Sequence, residues 1–291
     1  MKQERHIILN LIMILVCAAI IYPFLIIIGA SFQTQQDIMH NGYSMIPKEA
    51  TLDTYKAIFA NPSSLVNAYK VTIMTTVIGT IIGVYLAGTC GYVISRKTYR
   101  YKRILSLYIF FGMLFSGGMV ASYIWTTNGL HLKNSFWVLI LPYTASVWNI
   151  LLMKGYMSSI PDEMIESAKV DGAKEIMIFT KIVVPVSKPA IATLSLLYAL
   201  QYWNDWMLPM LYIDDAHLVN LQYMLQKILK NMEYLNSADA IQYGGATVGQ
   251  NIPTLGMRMA MCLLAAGPMM FVFPFFQKYF VKGLTIGSVK G

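Results

Sequence analysis

Two stretches hold residue types whose spacing could do chemistry. The first is 159–185, SIPDEMIESAKVDGAKEIMIFTKIVVP, with Asp162, Glu163, Glu166, Asp171 and Glu175 out of only 14 acidic residues in the chain. These carboxylates are not spaced as an acid–base pair or a metal set. They suit a polar surface element. Ser159 can cap a first helix, with Pro161 in its first turn and Asp162 three positions after the cap. Asp162 and Glu163 then lie at the positive end of the helix dipole and Lys169 near the negative end. Gly172 can close that helix in a left-handed turn, and a second helix starts near Ala173 and ends at Pro185. Ile165, Ala168 and Gly172 share one face, narrow and small enough to dock in a groove of another protein. An ordinary solvated helix pair between apolar blocks accounts for the same pattern.

The second stretch is Gln201–Trp206, QYWNDW. Asp205 is the one acid expected within an apolar span, where charge costs about 2.5–3.5 kcal/mol at mid-membrane and less toward the interface. Trp203, Asn204, Asp205 and Trp206 together suit a sugar. Aromatic faces stack on the C–H surface of the ring, and the amide and carboxylate bind hydroxyls. An aromatic belt with Asp205 in water fits them equally well. Asn149, beside Trp148, is a weaker member of the same substrate-path set, or an interhelical hydrogen bond.

The elements that position these residues follow from composition. Only 12% of the 291 residues are charged and 56% are hydrophobic. A soluble domain carries roughly 25% charge, so lipid must cover much of this surface. The net charge of +8 marks loops near anionic lipid rather than a nucleic-acid surface. Cys17, Cys90 and Cys262 lie in apolar runs and are expected to be free thiols. His6, His40, His131 and His217 show no ligand spacing, and no catalytic or metal set is expected.

With about 20 apolar residues per span, the chain reads as an all-α polytopic membrane protein. Its six spans are expected near 8–31, 71–94, 104–126, 135–156, 187–211 and 258–281. The first is too long for the roughly 7–15-residue apolar core of a cleaved signal. Lys and Arg divide unequally between the two sets of loops. One set holds fifteen: Lys2, Arg5, five in 96–103, five in 154–188, and Lys278, Lys282 and Lys290; the other holds seven. The positive-inside rule therefore puts both termini and the 159–185 loop in the cytoplasm. Segments 32–70 and 212–257 face outward, each with an amphipathic run: Leu52, Tyr55, Ile58 and Phe59 in one, Leu221 through Leu229 in the other. The Gly-rich piece 244–249 lacks the Lys-Ser/Thr of a phosphate loop. Gly79-x-x-x-Gly83 would let a neighbouring helix approach closely. Gly112, Gly117 and Gly118 should bend span three, and Pro268 and Pro274 should kink span six.

Glu166-Ser167-Ala168, three residues, Gly172, nine residues, then Ile182-x-Val184-Pro185 resembles the EAA motif of ABC-importer permeases, E-A-A-x3-G-x9-I-x-L-P. The departures are Ser167 and Val184. The ending Gln277–Gly291, QKYFVKGLTIGSVKG, is similar to that of the MalG-like permeases of carbohydrate (maltose-type) importers, as is Trp203-Asn204-Asp205. The resemblance covers essentially the whole chain and is nearest to permeases for complex oligosaccharides.

The resemblance implies the type I ABC-importer permease fold and a non-catalytic subunit of an ATP-driven oligosaccharide importer. It implies no cofactor on this chain, with ATP and Mg²⁺ held by a partner ATPase dimer in the cytoplasm. It also implies a second homologous permease, an extracellular or periplasmic sugar-binding protein, and a place in the bacterial plasma membrane. The 159–185 loop would be the coupling helix. Glu163, Glu166, Ser167, Ala168, Asp171 and Gly172 would form its ATPase-facing set, with Ala168 packing closely. The tail 282–291, with Lys290 and Gly291, would reach between the ATPase subunits. A permease for another solute, such as a peptide, fits the tail and the Trp-Asn-Asp motif less well. A membrane enzyme lacks its constellation, and an ion-driven secondary transporter lacks buried charges and visible repeats.

Overall fold

The computed structural model describes residues 2–60, 62–235 and 254–288. The protein is all-α: the described residues hold no named strand, only one isolated antiparallel bridge between Gln33 and Ala50. Helix is what the composition demands, because hydrocarbon offers no partner to an open backbone N–H or C=O.

Among the described residues three helices are long and apolar enough to cross a membrane: α1 (Lys2–Ser31), α4 (Pro62–Ser95) and α15 (Thr254–Ser288). Three further candidates are bent pairs, each able to cross as one broken span. The first joins α5 (Lys102–Leu114) to α6 (Gly118–Ile124) and the π turn that follows it, bent by 110°. The second joins the 3₁₀ turn Phe136–Leu139 and α7 (Leu141–Thr144) to α8 (Val147–Met157), bent by 46°. The third joins the helical run Glu175–Val186, whose first part is α10 (Glu175–Ile178) and last part α11 (Val184–Val186), to α12 (Lys188–Trp203), bent by 81°. The span expected over 104–126 carries the bend its glycines predict, while those expected over 135–156 and 187–211 are interrupted before α8 and after α12. Gly118 sits at φ +78° at the first break, as expected of a glycine bend. Ser146 restarts the second pair by accepting the Asn149 N–H (3.4 Å), and α12 stops at Trp203, three residues before α13 (Met207–Tyr212). No break interrupts α15 at Pro268 or Pro274.

The chain divides into two compact units. Residues 1–66 and 224–268 form the first. Its apolar helix α1 is exposed from Ile7 to Leu25, a surface for lipid. At the far end the chain turns through α2 (Gln35–Asn41) and α3 (Asp53–Ile58). A polar knot holds the turn. Gln33 Nε2 donates to Asp37 (2.8 Å) and Gln33 Oε1 accepts from the Ser44 amide (3.0 Å). Gly29 lets the Ser44–Met45 backbone cross where a Cβ would stand. The amphipathic run at Leu52–Phe59 is the helix α3, with Ile58 buried.

The second unit, residues 67–223 and 269–291, carries the functional stretches. There α12 packs on α4 as the glycine spacing predicts. A Cβ on Gly79 would strike the Tyr202 ring, and one on Gly83 the Tyr198 ring. The same tyrosines reach across to carbonyls in the second broken pair: Tyr202 Oη donates to Ile140 O (2.8 Å) and Tyr198 Oη to Thr144 O (3.0 Å). These bonds satisfy backbone acceptors in an interrupted helix, where an unpaired carbonyl would otherwise destabilise the span. Helix α14 (Leu221–Leu235) starts at the edge of this unit and holds the amphipathic run expected there.

Candidate functional site

The 159–185 stretch folds as two helices, with one difference at its start. Helix α9 runs Asp162–Val170, its N-cap is Pro161, and no side chain caps it. The Ser159 hydroxyl donates instead to Tyr156 O (2.7 Å). Pro161 leaves the chain extended at ψ 132°, so helical geometry begins after it and Ser159 lies too far upstream to cap. Asp162 and Glu163 occupy the first turn and Lys169 the last, as the dipole favours. The end is a Schellman motif: Ala173 N–H reaches Ala168 O (2.9 Å) and Gly172 N–H reaches Lys169 O (3.0 Å). Gly172 takes φ +82° with open space around its missing Cβ. Conformation, not crowding, requires glycine here.

Ile165 and Ala168 of the small face turn inward, while Gly172 stays exposed. Ile165 is buried in a cluster with Met153, Met157, Ile160, Ile178 and Val183, and Ala168 packs against that cluster. Burying Ile165 stabilises the loop on its own bundle by about 1.5–3 kcal/mol, which explains why the helix spends this face on its own chain. Outward lie Glu163, Glu166, Ser167, Asp171 and Gly172, all exposed. Among them stand two aliphatic side chains, Val170 at 88% and Ile176 at 79% exposure.

Polar ties join the loop to the end of α4. Tyr92 Oη donates to Glu175 Oε2 (2.7 Å), and Lys169 Nζ pairs with Glu175 Oε1 (2.6 Å). Asp162 pairs with Lys97 (2.8 Å) and more distantly with Arg96 (3.8 Å). The Lys97 ammonium holds the Asp162 carboxyl below its usual range, and Asp162 raises Lys97 in turn. Sequence reasoning did not identify Tyr92, Arg96, Lys97, Val170 or Ile176. The aliphatic pair was findable as apolar residues at polar-loop positions. The tyrosine was not, being 83 residues from its acid.

The structure splits the Gln201–Trp206 set. Asp205 is buried and serves as a cap: its Oδ1 accepts from Tyr143 Oη (3.0 Å), Met207 N (3.1 Å) and Leu208 N (3.3 Å). Asn220 Nδ2 donates to the Asp205 carbonyl (2.5 Å), and the Leu221 amide donates to Thr72 Oγ1 (2.8 Å). Trp203 and Asn149 are also buried, Asn149 beside the Tyr198 hydroxyl. Gln201, Asn204 and Trp206 are exposed. A cavity of about 340 Å³ lies nearer the loop, and its walls offer hydroxyls only from Thr80, Tyr85 and Ser195. Lys290, Gly291 and the Gly-rich piece 244–249 fall outside the described residues.

Broken apolar helices around a braced, exposed polar loop define a membrane transport component. The model of the family described as "Binding-protein-dependent transport system inner membrane component" matches residues 79–286, and the chain belongs to that family. It is 37% identical to Protein LplC of Bacillus subtilis (strain 168), over 94% of this chain and 90% of that one. It is 36% identical to the polygalacturonan/rhamnogalacturonan transport system permease protein YtcP of the same strain, over 93% of each. A crystal structure of a bacterial ABC transporter involved in the import of the acidic polysaccharide alginate has a chain of the same fold. Its TM-score is 0.79 at 24% identity, covering 96% of this chain and 97% of that one. The protein is thus an inner-membrane ABC transporter permease.

Proposed function

We propose that this chain is one of two permease subunits of an ATP-driven oligosaccharide importer, and that the 159–185 loop is where an ATPase subunit drives it. The observation that carries this reading is the loop itself. It has EAA-type spacing, its small face is anchored on its own bundle, and Val170 and Ile176 stand exposed among Glu163, Glu166, Ser167 and Asp171. An anchored loop with an apolar, acid-flanked outer surface suits force transfer, because a push on that surface moves the bundle behind it.

In this reading the loop and both termini are cytoplasmic, following the excess of Lys and Arg on that side. ATP and Mg²⁺ bind the partner ATPases, and this chain performs no covalent step. A second permease completes the pathway, and a binding protein delivers the sugar to the outer face. The names of the relatives support a carbohydrate cargo. Trp206 and Asn204, exposed at the break after α12, are the members of the expected path available to a passing sugar ring. The tail with Lys290 and Gly291 reaches the ATPase pair.

Affinity purification of the tagged chain from its native membrane tests the assembly. A second permease and an ATPase should be recovered together, and the exposed-edge variant Val170→Asp/Ile176→Asp should lose the ATPase while retaining the permease. Recovery of the chain alone, or of an ATPase indifferent to that variant, sinks the reading. A sugar screen on the associated binding protein then names the cargo.

A further inference from the structure

We propose that the cleft where α5 begins is a built site for one anionic phospholipid. Its volume is about 560 Å³, and it lies between the start of α5 and the flank of α8. Arg100, Lys102, Arg103 and Lys154 line it together with Leu107, Phe110 and Leu151. The cations lie in and around the turn that precedes α5 and on the last turn of α8; Leu107 and Phe110 follow one and two turns further along α5. The lining therefore grades from cationic to apolar along the helix.

That grading matches a lipid and not a soluble anion. A phosphate needs donors but has no use for the exposed Leu107 and Phe110 beside them. A phospholipid uses both, its headgroup among the guanidinium and ammonium groups and its upper acyl chain along the helix. The charges are also available. Among the described residues no carboxylate lies within ion-pair distance of Arg100, Lys102, Arg103 or Lys154. The nearby acid, Asp162, is paired with Lys97 and Arg96 and feels Lys102 only through space, without an ion pair. Lys154 Nζ rests on Ser106 Oγ (3.3 Å), a neutral partner that leaves its charge uncompensated. Two of the four cations are arginines, whose forked donors fit a phosphate in a bidentate manner. The commitment to a lipid rests on the cytoplasmic side proposed above, which the Lys and Arg of 96–103 share with the 159–185 loop and which sets the cleft against an anionic leaflet.

Native mass spectrometry of the solubilised full-length chain tests this. The protein is incubated with equal amounts of phosphatidylglycerol and phosphatidylcholine, and the retained lipid is counted. Phosphatidylglycerol should be retained over phosphatidylcholine by about tenfold or more, given several basic contacts. Arg100→Gln/Arg103→Gln should bring the ratio near unity. Ser106→Phe keeps every charge but fills the cleft, and should lower the ratio as well; Lys154→Gln, on α8 rather than in 96–103, should also lower it. Equal retention of the two lipids by the unaltered chain overturns the site. So does full retention in Ser106→Phe, which would mean charge without a cleft. Displacement by millimolar glycerol phosphate makes it a soluble-anion site, and displacement by an added ATPase subunit makes it a protein contact; either ends the lipid assignment. The count does not depend on recovering partner subunits, so its failure is distinct from failure of the coupling assignment.

Discussion

Two tyrosine–carboxylate bonds hold the ends of the second unit, and they are built for opposite purposes. At the loop, Tyr92 meets Glu175, whose other partner is the exposed side chain of Lys169. At the break after α12, Tyr143 meets Asp205, whose other partners are buried backbone amides. The first carboxylate is exposed and shared between a tyrosine hydroxyl and one long, flexible lysine. The second is buried and fixed to the main chain. A group bonded to a surface lysine holds a position that solvent and partners can still reach. A group bonded to buried amides holds a fold. The acid-rich loop keeps most of its carboxylates open to solvent, whereas the acid that hydropathy singles out as costly is a structural cap.

The sharpest way to break this comparison is Asp205→Ala. It would strand two amides and a tyrosine hydroxyl in a buried setting, at about 1–3 kcal/mol for each unsatisfied group. Loss of folded protein in the membrane and a lower inactivation temperature are expected. Asp205→Asn keeps an accepting oxygen and should lose much less. If Asp205→Ala folds and inserts normally but the transporter no longer passes its sugar, Asp205 is a ligand and the contrast fails.

Gly172→Val comes next. The site has room for a side chain but not for the left-handed backbone, which costs an L-residue about 1–2 kcal/mol. The cost should fall on the Schellman turn, reducing ATP-driven uptake while insertion stays normal. Gly172→Asn, which tolerates that conformation, should be milder. Equal uptake by the glycine and valine forms in proteoliposomes would remove the turn from the coupling path.

How much of this was legible beforehand depends on whether the signal was local. Gly79 and Gly83 announced a close helix approach, and the rings of Tyr202 and Tyr198 fill it. Gly117 and Gly118 announced a bend, and Gly118 is the residue at positive φ there. The spacing of Glu166, Gly172 and Pro185 located the loop from side-chain identity alone. The breaks before α8 and after α12 were hidden, because Ser146 and the pair Asn204-Asp205 are short polar interruptions between apolar runs and hydropathy does not register a cap. The direction of the Ile165 face was hidden for a related reason. Periodicity says which residues share a face but not which neighbour covers it, and here the cover is Met153, Ile178 and Val183 from the same chain. Tertiary bonds such as Tyr92 to Glu175 leave no trace in spacing.

The smallest effects belong to the ties at the loop, and they sharpen the contrast most finely. Tyr92→Phe removes one hydrogen bond to a charged acceptor that keeps its lysine and is open to water. It should cost about 0.5–1.5 kcal/mol, read as a modest loss of uptake with unchanged assembly. Lys97→Ala removes an exposed ion pair and should change still less, because solvent screens such pairs. The pH dependence has a definite sign. The folded chain holds Asp162 below its ordinary range, so the tie is fully present above the unfolded value near 4 and is lost only as pH falls through the lowered folded value. Uptake measured from pH 8 down to 5 should therefore show no step that Lys97→Ala abolishes. Such a step would mean that Asp162 titrates where the loop works, and that the exposed end of the unit, not the buried one, carries the critical charge.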